Sequence, residues 1–300
     1  MTERRDNSGE YRSVDGVEIR LDGPALRCTL DRVKTRNAID DAMLFALIDA
    51  VEAAGQDERV RVIVITGNGD HFCAGADIVA RNAPTDVKPR VGSIQRRLPA
   101  QAHRLVPLLL TVQTPVVTSV RGFAAGIGFH LALASDFCVA SESARFWEPF
   151  LARGFTPDSG GSWLLPRLGG TTLAREMILL GRELSGADAA AHGLIHAAVP
   201  DTDLDAATEA LVATLAEAPT VALGLAKWLM ATGASLPLDA HLANEAFALE
   251  LSSRSQDFRE GLAAFREKRD PDFTGRCARR VAVAVSVAGG ITPRARSRRR

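Results

Sequence analysis

Residues 115–141, PVVTSVRGFAAGIGFHLALASDFCVAS, hold three signals in one stretch. PVVTSV is a short run of apolar and β-branched residues, the pattern of a buried strand. FHLALAS follows a glycine turn with the look of an apolar helix, and FCVAS at 137–141 reads as the next strand. Strand, helix, strand is the unit of a parallel α/β sheet. The same order occurs upstream. Residues 17–30 (VEIRLDGPALRCTL) alternate apolar and polar on either side of Gly23-Pro24, which predicts a hairpin. From Asp40 the period turns helical (AMLFALIDAVEAAG), with Asn37 or Asp40 as cap and Gly55 as stop, and VRVIVITG at 60–67 reads as a fully buried parallel strand.

Beyond Gly181 strands become scarce. Ser185 opens an S-x-x-D capping pattern, and 202–232 and 238–269 read as long helical stretches rich in Ala and Leu. The fold class is α/β with a helical C-terminal part. The expected layout is a flexible N-terminus over 1–15, an α/β core over 16–200, a helical region over 201–275 and a basic, disordered tail over 276–300.

The chain has 300 residues, 46% hydrophobic and 24% charged, the mix of an ordinary globular protein long enough to bury its own core. Aromatics at 5% favour close packing of helices on strands over an aromatic-rich sandwich. Lys and Arg balance Asp and Glu at 36 each, but residues 276–300 contain eight Arg and no acid, so the body carries 28 bases against 36 acids. A body of that charge is not a nucleic-acid footprint. The cysteines at 28, 73, 138 and 277 match neither a disulfide framework nor a zinc spacing. With a polar start and no apolar run of 18 residues, the chain is expected to be soluble and cytoplasmic.

Three familiar motifs fail on inspection. GNGDHF after the 60–67 strand lacks the third glycine of a dinucleotide fingerprint, His192 and His196 lack the intervening Glu of a zinc-protease helix, and Ser159 and Ser162 do not complete G-x-S-x-G. Two other turns carry chemistry. His71–Ile78 (HFCAGADI) and Arg121–His130 (RGFAAGIGFH) each follow a buried strand. Their small residues let a ligand approach the main chain, where a helix start leaves amides unpaired. Either turn alone could be a mere tight bend; two such amides converging on one point make an oxyanion hole.

These turns, in order with RVKTRNA at 32–38, PDSGGSWLLPRLGG at 157–170 and DFREGLAAFREKR at 257–269, resemble the crotonase superfamily, the enoyl-CoA hydratase and isomerase family, over residues 17–273. The resemblance implies a crotonase-like spiral of ββα units, with the C-terminal helices mediating assembly into a trimer or a dimer of trimers. It implies an acyl-CoA thioester as substrate, no metal and no permanently bound cofactor, coenzyme A entering as part of the substrate. The oxyanion amides would be those of Ala76 and Ile127. CoA binding falls to Lys34, Arg36 and Ala38, to Ala74, Asp77 and Ile78, and to Phe265 and Lys268, the last two commonly reaching a neighbouring subunit.

Departures from the family pattern narrow the chemistry. Where its hydratases place two glutamates this sequence has His130 and Phe150, so syn hydration loses its usual pair. Asp158 stands where family members that isomerise or dehalogenate carry an aspartate, and is the expected acid/base; its structural alternative is an N-cap for the helix near Ser162. His130 is a second catalytic candidate or a packed histidine on an apolar helix, and Glu148 a carboxylate of undetermined direction. Trp147, Phe150 and Trp163 are expected to line the acyl pocket. The leading reading is double-bond isomerisation through a thioester enolate. The alternatives are isomerisation of a ring-epoxide or dehalogenation of an aryl-CoA, and a CoA- or RNA-binding protein without turnover.

Overall fold

A computed structural model describes residues 10–78 and 90–276. Nine strands build two sheets. β1 (Val17–Asp22) and β2 (Ala25–Leu30) form the expected hairpin, antiparallel from Val17↔Leu30 to Asp22↔Ala25. Its two-residue loop wants glycine first, and Gly23 supplies φ 55°. β3 (Val62–Gly67), β4 (Val116–Val120), β6 (Phe137–Ser141) and β9 (Ala197–Val199) continue the sheet in parallel, in the order β1-β2-β3-β4-β6-β9. A second sheet holds β5 (Phe123–Ala125), β7 (Arg145–Trp147) and β8 (Leu184–Ser185), in the order β5-β7-β8. Twice, at β4-β5 and at β6-β7, the chain lays one strand in each sheet before a helix, the ββα unit of the spiral.

The helices are α1 (Asp41–Ala54), α2 (Ser93–Arg97), α3 (Ala102–Thr111), α4 (Ile127–Ala134), α5 (Gly161–Leu168), α6 (Gly170–Leu180), α7 (Gly186–Ala191), α8 (Leu204–Glu217), α9 (Thr220–Gly233), α10 (Leu238–Ser252) and α11 (Gln256–Glu267). β3 reads as one apolar run because both of its faces are covered. Ile63 and Ile65 belong to the main core with Leu44, Leu47 and Ile48 of α1; Val62 and Val64 pack with Val212 and Leu215 of α8. Asp40 caps α1, its Oδ1 accepting from the Met43 amide at 2.9 Å. Asn37, the other candidate cap, is buried elsewhere: its amide donates to the carbonyls of Asn68 and His71, pinning the 32–38 loop to the turn after β3.

Three expectations need correction. The N-terminal stretch is tied down from Tyr11 onward, whose hydroxyl donates to Asp57 from a buried site. The helical stretch at 202–232 breaks at Pro219, whose ring cannot continue the preceding helix. The stretch at 238–269 breaks at Ser255, whose hydroxyl accepts from the Phe258 amide and starts α11. Residues 1–9 and most of the basic tail, 277–300, lie outside the described residues. No single described helix is long and apolar enough to cross a membrane.

α9 is fastened to the sheet by an ion pair between a buried lysine and a half-buried aspartate. Lys227 Nζ donates to Asp136 Oδ2 at 2.6 Å, and the same oxygen accepts from the Val116 amide at 2.7 Å. Burial pushes the Asp136 carboxyl up and the Lys227 amine down, and the pair's mutual attraction opposes both shifts. Removing one partner strands the other charge. Lys227→Met is expected to lower stability by about 3 kcal/mol, seen as a lower urea midpoint with unchanged slope.

Burial also governs the thiols. Cys28, Cys73 and Cys138 are free and buried, and desolvation pushes each up to about 12. At pH 8 all three stay protonated and shielded. Iodoacetamide is expected to spare them in the native protein and to label them once urea unfolds it, as counted by intact mass.

Candidate active site

The two glycine turns lie side by side. The Cys73 amide donates to the Phe123 carbonyl and the Ala125 amide to the Cys73 carbonyl, both at 2.9 Å, so the first turn runs along β5 as an extra rung. Glycine is required where they touch. Gly75 has φ 108° and Gly126 φ 53°, and a Cβ on Gly75 would stand 3.2 Å from the Ala125 carbonyl oxygen. Each positive φ turns the next amide out of the backbone ladder. Those amides belong to Ala76 and Ile127, and neither donates to a described group. The Ile127 amide is also the first of α4, at the positive end of that helix.

Both turns open on a cavity of about 580 Å³, within the size range of small-ligand sites. Gly75, Ala76, Gly126 and Ile127 line it beside Thr35, Ala38, Ala74, Asp77 and Ile78. Pro149, Phe150, Arg153, Phe155 and Asp158 complete the wall. Phe150 and Phe155 meet edge to face with centroids 5.4 Å apart. Two carboxylates reach the cavity. Asp77 is held by Arg32, whose Nη2 donates to Oδ2 at 3.0 Å. Asp158 has no ion pair with a described residue; Ser159 Oγ donates to its Oδ1 at 2.7 Å.

Asp158 does not cap α5, whose N-cap is Gly160 and which has no side-chain cap. Its neighbour Ser159 has φ 46°, a left-handed conformation rare outside glycine. That bend places the hydroxyl between Asp158 and His130, whose Nδ1 lies 2.9 Å away. His130 Nε2 in turn lies 2.8 Å from Glu148 Oε1. Phe150 stacks on the imidazole at 5.9 Å between centroids, 10° from parallel, and separates it from the cavity.

The remaining expected residues divide. Ala38, Ala74, Asp77, Ile78 and Phe150 line the cavity as expected. Arg36 sits with its guanidinium 5.3 Å from the Phe123 ring centroid, and Lys34 is exposed on the turn before it. Trp147 and Trp163 are not in the cavity wall. Trp147 is covered by Arg153 from one side, while Trp163 is 46% exposed on α5 beneath the Arg167 guanidinium. Phe265, 83% exposed, and Lys268, the left-handed residue ending α11, also lie outside the wall. His130 does not line the cavity; its ring nitrogens face Ser159 and Glu148. Sequence reasoning missed Ser159, Arg153 and Phe155; only the first stood next to a recognised motif. Among the described residues no group of three or more His, Cys, Asp or Glu converges as a metal would need.

Comparison with known proteins agrees with this geometry. The enoyl-CoA hydratase/isomerase family model matches residues 25–276. The chain is 38% identical over 249 residues to 1,2-epoxyphenylacetyl-CoA isomerase of Escherichia coli, covering 83% of this chain and 94% of that protein. It is 36% identical over 252 residues to 2,3-dehydroadipyl-CoA hydratase of the same organism, covering 84% and 95%. A crystal structure of enoyl-CoA hydratase from Bacillus anthracis superposes with a TM-score of 0.80 at 28% identity, over 87% of this chain and all of that one. The fold is that of a crotonase-type acyl-CoA enzyme. This chain belongs to the enoyl-CoA hydratase/isomerase family.

Proposed function

We propose that this enzyme moves a proton between carbons of an acyl-CoA thioester, shifting a double bond through a thioester enolate. The amides of Ala76 and Ile127 serve as the oxyanion hole, and Asp158 as both acid and base. The observation that carries this reading is that Asp158 is the one cavity-lining carboxylate without a cationic partner among the described residues. Hydration asks for two groups, one for the water and one for the proton at carbon. Proton transfer within the substrate asks for one. Removal of a proton from C2 by Asp158 sends the electron pair into the carbonyl, whose oxygen gains charge against the two amides. Return of the same proton at C4 leaves the double bond between C2 and C3. Donors placed at such an oxygen are worth about 2.7–4 kcal/mol each in comparable sites.

A second reading is isomerisation of a ring-epoxide-CoA with Asp158 as base. Phe150 and Phe155 on the cavity wall suit an aryl group, and the E. coli relative bears the name of such an isomerase. Coenzyme A enters with the substrate, and no resident cofactor is invoked. Mass spectrometry of a 3-enoyl-CoA incubated with the enzyme separates the outcomes. A product of unchanged mass that absorbs as a conjugated thioester supports isomerisation; a 3-enoyl-CoA left untouched while a 2-enoyl-CoA offered in parallel gains one water shows hydration and overturns it.

Assembly is proposed on the same family basis. Met230, Leu238, Phe247, Leu249 and Phe265 leave α9 to α11 with large apolar side chains exposed. These are expected to be covered by other copies in a trimer or dimer of trimers. Light scattering on the purified chain checks it, and a monomer at working concentration contradicts it.

A further inference from the structure

His130, Glu148 and Ser159 are 0%, 1% and 2% exposed, a polar chain inside an apolar layer. Hydrogen bonds of 2.8, 2.9 and 2.7 Å run from Glu148 through His130 and Ser159 to Asp158. We infer that Glu148, His130 and Ser159 are positioning residues that hold the charge and the orientation of Asp158 from behind the cavity wall. The inference rests on Asp158 being the acid and base.

Stability alone does not account for the array. Burying groups of this kind is costly, and well-packed apolar residues of similar volume commonly serve a core as well or better. The surrounding backbone nevertheless yields to it at two places. Ser159 adopts φ 46°. Gly161 has no room for a side chain, since a Cβ there would fall 2.2 Å from His130 Nε2 and 2.8 Å from Glu148 Oε1.

Counting hydrogens gives the array its function. Three contacts link four groups, and each needs one hydrogen. With one hydrogen in each, the array carries a single negative charge, which can sit at either end. If every donor points toward the cavity, Glu148 is a neutral acid donating to Nε2, Nδ1–H donates to Ser159, and the serine hydroxyl donates to an ionised Asp158. An imidazolium beside an ionised Glu148 gives the same count and the same direction at Asp158. If every donor points the other way, Asp158 is neutral and the charge lies on Glu148. Glu148 is the poorer seat, because its second oxygen, Oε2, is buried with no hydrogen-bond partner among the described residues. Asp158 at the cavity is the better one. In that state Ser159 fixes Oδ1 and leaves Oδ2 for the substrate carbon. A hydrogen bond to a charged group is strong enough to matter for rate, and double-mutant cycles separate such a chain from its parts.

The test is exchange of solvent deuterium into the α-carbon of phenylacetyl-CoA, measured as kcat and KM. Variants are Ser159→Ala, Glu148→Leu and Glu148→Gln, each alone and combined with Asp158→Asn. Ser159→Ala and Glu148→Leu are each expected to lower kcat about 10- to 100-fold with KM nearly unchanged. Glu148→Gln is expected to lose less, since its amide can donate to Nε2 and preserve the direction of the array. In the Asp158→Asn protein the same substitutions are expected to cost nothing further, because their effect passes through that carboxylate. Losses that add in full to that of Asp158→Asn, or that fall on KM, overturn the inference. Wild-type exchange in Asp158→Asn alone would instead overturn the assignment of Asp158. If Glu148→Leu does not fold, the cycle with Ser159→Ala, which removes one oxygen at the turn, decides the matter by the same criterion.

Discussion

Asp158→Asn is expected to lower kcat for double-bond isomerisation by about 10²- to 10⁴-fold, the usual worth of a general acid or base, with little change in KM. Asparagine keeps the size of the side chain and an oxygen to accept from Ser159, so the cavity wall and the turn stay intact. What it lacks is the ability to take a proton at carbon. The loss therefore belongs in the chemical step, and steady-state kinetics on a 3-enoyl-CoA, with an isothermal binding measurement for the variant, checks both halves of the statement. A comparable loss of affinity would mean that Asp158 binds substrate and does not act on it.

Gly128→Ala is expected to lower kcat by about 10²- to 10³-fold, the worth of one oxyanion donor in comparable sites. Gly128 faces the other glycine turn, and a Cβ there would stand 2.6 Å from both the Cβ and the carbonyl oxygen of Cys73. Neither atom belongs to a flexible side-chain end, so the two turns must part. The amides of Ala76 and Ile127 sit three residues and one residue from that contact and lose their common aim. Overpacking at a buried site also costs about 1–3 kcal/mol of stability, so circular dichroism melts should accompany the kinetics. A variant that melts lower yet keeps its kcat would separate packing of the turns from catalysis.

The alternation of strand and helix was readable from residues 60–67 and 115–141 because β3 and β4 are covered on both faces and therefore carry no charged residue. The two glycine turns were readable for a different reason. A positive φ beside a close approach of two backbones leaves little choice of residue, as at Gly75 and Gly126. The aromatic wall was not readable. Trp147 and Trp163 looked like pocket residues by type and proximity, but which way a side chain faces depends on the tertiary packing that sets Arg153 over one ring and Arg167 over the other. The joint role of Glu148 and Ser159 escaped for a related reason. They lie 18 and 29 residues from His130, and only folding brings the three into hydrogen-bonding distance. The breaks at Pro219 and Ser255 were present as letters, yet the Ala- and Leu-rich period on both sides concealed them.

The proposed thioester enolate, held between two backbone amides and one carboxylate, is open to direct measurement. Exchange into phenylacetyl-CoA in deuterated water, followed by NMR, tests it without any need to know the natural acyl chain. The wild-type enzyme is expected to replace the α-protons with deuterium while the thioester stays chemically unchanged, and Asp158→Asn to slow this by at least about 10²-fold. A thioester that binds but keeps its protons over many enzyme equivalents, or exchange at an equal rate with Asp158→Asn, would contradict it.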